Sequence, residues 1–165
     1  MQILIKLLAD GAIVPVVLLA GYAFLFRVPK GRRPEVYSRI LMAGLTSYLV
    51  AKLMGSVYQP ALERPFEILG QAAGASYLNN PGFPSDHALF TVFLTLAVLL
   101  GVRWRTGALI MAIFTVLVCI GRVLALVHTP LDIIGGIVTA SLGSLWYLHG
   151  FTMTTTRKSR KKRVQ

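Results

Sequence analysis

Cysteine is nearly missing from this chain. Cys119 stands alone, which excludes an intramolecular disulfide and any cysteine-cluster metal site. Set inside an apolar run, it reads as a small buried hydrophobe. Acidic residues are also scarce, six against 17 Lys and Arg, and they form no Asp/Glu/His cluster with metal-ligand spacing. There is no P-loop and no catalytic-serine elbow, no internal repeat, and no stretch with the composition of a soluble domain.

What fills the chain instead is hydrocarbon. Of 165 residues, 55% are hydrophobic and 14% charged, with a mean hydropathy of +0.68. Length allows one domain, and the composition is that of an integral membrane protein. A net charge of +11 would suit nucleic acid, but the placement of the cations points to membrane orientation instead.

Five apolar segments long enough to cross a bilayer are expected, an all-α polytopic bundle. The first is Ile3–Phe26, interrupted by Lys6 and Asp10. Its continuous part is longer than a signal-peptide core and its positive charge follows, so it reads as a span, not a cleaved leader. Val36–Tyr58 is the second span. Asp86–Val102 is the third and Gly107–Val127 the fourth. A Thr129 cap with Pro130 at the first helical position starts the fifth at Leu131, running to about His149. Gln59–Ser85 is the longest loop, rich in proline, with a short interfacial helix expected over Glu63–Ser76. Residues 1–151 form the membrane-embedded domain, and 152–165 a basic, disordered tail.

Of the 17 basic residues, 13 fall in Arg27–Arg39, Arg103–Arg105 and Arg157–Arg163. Five spans put those three regions on one side, which the positive-inside rule makes cytoplasmic, with the N-terminus outside. The long loop and the corner at His128 then share the outer face. Lys52 and Arg122 are each expected roughly 9 Å inside that face, six residues before a span end. His87 opens span three, Asp132 opens span five, and Arg64 and Ser85 lie in the loop. Taken singly, each has a bland reading. Lys52 fits snorkelling, Arg122 fits a structural bridge to Asp132 or Asp86, His87 fits a cap, and the His128–Asp132 spacing recurs by chance on helices. Taken together, buried cations short of carboxylates need an anion, and phosphate is the natural one.

The residue types suit phosphate-ester hydrolysis without a metal or other cofactor. A neutral His128 can attack phosphorus if Asp132 fixes its tautomer. His87 can protonate the leaving oxygen. Arg64, Arg122 and Lys52 can stabilise charge on the equatorial oxygens.

At these residues the chain resembles the type 2 phosphatidic acid phosphatase superfamily, whose signatures are K-x6-R-P, P-S-G-H and S-R-x5-H-x3-D. Here the third reads Gly121-Arg122, five residues, His128, three residues, Asp132. The second reads Pro84-Ser85-Asp86-His87, and the first ends at Arg64-Pro65. The resemblance implies a haloperoxidase-like helical core, His128 as nucleophile, Asp132 as its orienter and His87 as general acid. It also implies phosphate binding by Lys52, Arg64, Ser85 and Arg122, together with backbone amides beside Ser85. Three positions depart from the pattern. Eleven residues separate Lys52 from Arg64, Gly121 replaces serine, and Asp86 replaces glycine. The last variant resembles the branch acting on undecaprenyl diphosphate and makes Asp86 a candidate on the substrate side.

The expected protein is therefore a lipid phosphatase of the bacterial cytoplasmic membrane. It acts at the outer face on a polyprenyl diphosphate, contacting membrane lipid and no nucleic acid. The alternatives are a phosphatidylglycerophosphate or phosphatidate phosphatase, a non-catalytic protein that binds or flips lipid phosphates, and a basic membrane adaptor.

Overall fold

The computed structural model describes residues 1–148. The expectations for the 152–165 tail and for His149 lie outside that range. Among the described residues every regular element is helical.

Helix α1, Gln2–Arg27, runs unbroken for 26 residues, about 39 Å at 1.5 Å per residue. Within it, Leu7–Gly11 and Ala23–Arg27 take π-helical geometry. A short basic turn leads into α2, Arg33–Val57, with proline in its first turn, where a missing N–H costs nothing. Helix α3 is the four-residue turn Pro65–Ile68. Helix α4, Asp86–Val102, is an apolar helix of 17 residues, shorter than the spans around it. Helix α5 spans Arg105–Leu124. Helix α6 covers Pro130–Gly143 and passes into a 3-10 turn, Ser144–Tyr147. Three helical stretches, Gln2–Arg27, Lys30–Val57 and Arg105–Leu124, are long and apolar enough to cross a membrane.

Two expectations are corrected. The loop helix over Glu63–Ser76 shrinks to Pro65–Ile68, because the chain leaves helical geometry at Gly70, whose φ of +61° is left-handed. Span four stops at Leu124, not Val127, since Leu126 also takes a left-handed φ of 58°. Arg122 thus sits in the last turn of α5, not one and a half turns deep.

Helix α4 packs against α1, α5 and α6, and α6 also packs against α2. This central position explains how α4 can be short. Val16, Val98 and Met111 are fully buried between α1, α4 and α5. Outward faces instead carry exposed Leu18, Leu41, Leu53, Leu109, Ile113 and Ile134, an apolar belt suited to lipid. Inside, hydroxyls join the helices. Thr95 and Thr115 are 3.1 Å apart, and Thr91 donates to the His87 carbonyl at 2.9 Å. Gly136 lets α6 press on the start of α4, since a Cβ there would lie 2.6 Å from the Ser85 carbonyl oxygen.

The basic turns gather at one end of this bundle. The Arg27 guanidinium lies 4.7 Å from the Trp104 ring centroid, and Tyr147 packs by Gly101. Arg122 is 17 residues along α5 from Arg105, about 25 Å away, so the signature residues occupy the opposite end.

Candidate active site

The site is assembled where α4 and α6 begin, α5 ends, and the 59–85 loop folds over them. Thr129 caps α6 by a reciprocal box. Its hydroxyl accepts the Asp132 N–H at 3.2 Å, and Asp132 Oδ2 accepts the Thr129 N–H at 2.7 Å. This fixes the corner that carries His128. Ser85 caps α4, and its N–H donates to the Asp132 carbonyl at 2.9 Å. Two signature segments separated by 47 residues are thereby joined backbone to backbone.

His128 is buried at 5% exposure, with Nδ1 3.6 Å from Asp132 Oδ2. That is too long for a hydrogen bond, and Nδ1 has no other partner. Such bonds commonly tighten only when substrate is bound. Burial chiefly holds the imidazole below its ordinary pKa. Arg122 and Arg64 push the same way, and Asp132 opposes them. His128 is therefore a neutral imidazole at neutral pH, with Nδ1 towards the carboxylate and Nε2 left for chemistry.

A small cleft of about 50 Å³ is lined by Arg64, Asn80, Asp86, His87, Arg122 and His128, among others. It brings both imidazoles and two guanidiniums to one place, with room for several waters or a small anion. Gly82 closes one side. A Cβ there would be 3.3 Å from Asp132 Oδ2 and 3.7 Å from His128 Nδ1.

The two arginines are held in contrasting ways. Arg64 Nη1 donates to the Val127 carbonyl at 2.6 Å. Its Nη2 donates to Leu78 O at 3.1 Å, Asn80 O at 3.0 Å and Asn80 Oδ1 at 3.1 Å. All four acceptors are neutral, so they position the charge without cancelling it. Arg122 pairs with Asp10, Nη1 to Oδ1 at 3.0 Å, and also donates to Ser76 O at 2.7 Å. The partner expected from sequence, Asp132 or Asp86, is replaced by a residue 112 positions away. A lone acid in an apolar segment was the available signal for Asp10.

The remaining candidates stand apart from the cleft. Lys52 lies half exposed, 3.8 Å from Asp86, in an adjoining cavity of about 170 Å³ lined also by Gln59, Asn80 and Pro84. Asp86 lines both cavities. Ser85 is fully buried and does not line the cleft; its hydroxyl accepts the Ala88 N–H at 3.5 Å. Asn80 and Gly82, which the sequence analysis did not single out within the long loop, form part of the cleft wall.

Residues 32–156 match the PAP2 superfamily. Over 141 residues the chain is 30% identical to an Escherichia coli (strain K12) protein named "Putative undecaprenyl-diphosphatase YbjG", covering 84% of this chain and 67% of that one. No solved structure matches it.

Proposed function

The chain belongs to the PAP2 superfamily and is a phosphatase of that type; from that premise we propose that it hydrolyses a polyprenyl diphosphate, releasing inorganic phosphate through a phosphohistidine. The observation that carries the reading is the single small cleft in which His87, His128, Arg64 and Arg122 meet.

The steps follow from the chemistry of those groups. His128 Nε2 attacks the terminal phosphorus while Asp132 stabilises the imidazolium that develops. The bond from that phosphorus to the bridging oxygen breaks, and His87 gives its proton to the departing prenyl monophosphate. Arg64 and Arg122 hold the equatorial oxygens as charge redistributes. A water then attacks the phosphohistidine, giving its proton to His87. The nitrogen–phosphorus bond breaks, orthophosphate leaves, and both histidines return to their starting states.

The name of the Escherichia coli relative supports undecaprenyl diphosphate as the substrate class. The neighbouring cavity with Lys52 supports a second phosphate beside the one attacked. Five spans, an outer-facing site and a cytoplasmic basic end are part of the same proposal. They are supported by the gathering of Arg27 and Trp104 at the end opposite the cleft. The apolar belt lets the lipid tail stay in the bilayer while the headgroup enters.

Phosphate release from a prenyl diphosphate by the purified protein tests the proposal. His128→Ala should lose about 10⁴-fold or more in kcat, and undiminished turnover in that variant would overturn the nucleophile. Preferred turnover of phosphatidylglycerophosphate or phosphatidate would move the substrate to glycerophospholipids.

A further inference from the structure

We propose that Asp10 is a positioning residue for catalysis, and that Gly121 exists to seat the turn of α1 that carries it. This rests on the reading of Arg122 as a phosphate ligand. Asp10 lies outside the residues that match the family, yet it bonds Arg122, which lines the cleft.

The contacts form a closed clamp. Asp10 Oδ1 takes the Arg122 Nη1 hydrogen bond at 3.0 Å, and Oδ2 accepts the Ser76 N–H at 3.0 Å. Arg122 Nη1 also donates to the Ser76 carbonyl at 2.7 Å. One carboxylate thus ties α1, α5 and the long loop together at a guanidinium that is 1% exposed. A guanidinium is a rigid plane, so fixing Nη1 from two directions fixes its remaining donors as well. Among these, Nε is buried and has no protein partner, in a residue that lines the cleft. A buried, unpartnered N–H on a cation is a donor that a phosphate oxygen can satisfy.

The backbone shows why α1 can come so close. Asp10 sits on the π-helical turn Leu7–Gly11, which packs on α5; π-helical turns of this kind concentrate at functional sites. At Gly121 a Cβ would lie 2.5 Å from Ala9 N, 2.7 Å from Leu8 C and 2.8 Å from Ala9 Cα. These are backbone atoms of α1 and cannot swing aside. The serine that the family signature carries at this position would push the turn, and Asp10 with it, away from Arg122. The departure at Gly121 and the acid in the first span are therefore one feature.

The test uses the full-length protein, a prenyl diphosphate substrate, and separate kcat and KM values. Asp10→Ala should lower kcat about 100-fold, the cost of misplacing a catalytic group by about 1 Å, with KM changed by no more than about threefold. Asp10→Glu should recover most of that loss. Asp10→Asn keeps an acceptor for Arg122 and should lose about tenfold, which covers the case of an alanine variant that does not fold. Gly121→Ser should resemble Asp10→Ala. In an Arg122→Ala background, Asp10→Ala should cost nothing further. Wild-type kcat in Asp10→Asn and Asp10→Ala, or an undiminished further loss in the Arg122→Ala background, would overturn the proposal alone. Wild-type turnover in Arg122→Ala would instead overturn the role of Arg122 in the phosphatase reading, and the positioning role with it.

Discussion

At the basic end of the bundle, Arg39 reaches Glu35 at 2.8 Å and Arg32 reaches it at 3.9 Å, with all three side chains between 29% and 48% exposed. At the other end, Arg122 is 1% exposed against Asp10 and Arg64 is 6% exposed against carbonyl oxygens. Exposed pairs in water contribute little to stability; in the proposed topology their worth lies in marking the cytoplasmic side. Buried cations carry a desolvation cost that only fixed partners and a bound anion can offset. The chain has six acidic residues in all, and three of them, Asp10, Asp86 and Asp132, stand beside Arg122, Lys52 and His128. Acid is rationed to the site, and Arg64 is left without a carboxylate.

Variants at the two ends can sharpen or erase this contrast. The largest effect is expected at Asp132. Asp132→Asn keeps an acceptor for the Thr129 N–H but loses its hold on the histidine tautomer, so kcat should fall about 10³- to 10⁴-fold. The pH profile adds a signed check. The neutral imidazole attacks, and burial holds the His128 pKa below its ordinary value. The acid limb of wild-type kcat/KM that His128 sets should therefore lie below about pH 6.5. Since Asp132 raises that pKa, Asp132→Asn should move the acid limb lower still, and a shift to higher pH would contradict the arrangement. Arg64→Lys should lose about 100-fold, because an ammonium cannot satisfy four carbonyl acceptors and still face an anion. Lys52→Ala, at a half-exposed side chain, should cost about tenfold, mostly in KM. Arg103→Gln with Arg105→Gln should leave kcat within about twofold. Equal losses at Arg103 and Arg64 would remove the distinction between the two ends.

The sequence carried much of this in local chemistry. Thr129-Pro130 announces a helix start, and the structure begins α6 at Pro130 with Thr129 capping it. The third span was expected from Asp86 and α4 begins there, but its cap is Ser85 and not His87. At Gly136 the backbone of Ser85 takes the room of a side chain. The long loop was harder. Its helix ends at a left-handed Gly70, and its path is set by bonds to distant carbonyls. Phe66 N–H donates to Leu126 O, and Gly74 N–H to Ala125 O, both at 3.0 Å. No local pattern encodes such pairings. Arg122 shows the limit most clearly: its burial was foreseeable from the apolar run, but its partner lies on α1, and only packing could reveal it.

One backbone bond limits how the cleft can open. With Ser85 N–H tied to the Asp132 carbonyl, the two histidine-bearing helix starts are riveted and cannot spread apart to free a product. The wall built from Asn80 to Gly82 has no such rivet and leans on the Arg64 side chain. In the proposed reaction that wall is the side free to move when orthophosphate is released, and Arg64 would hold both the anion and the wall.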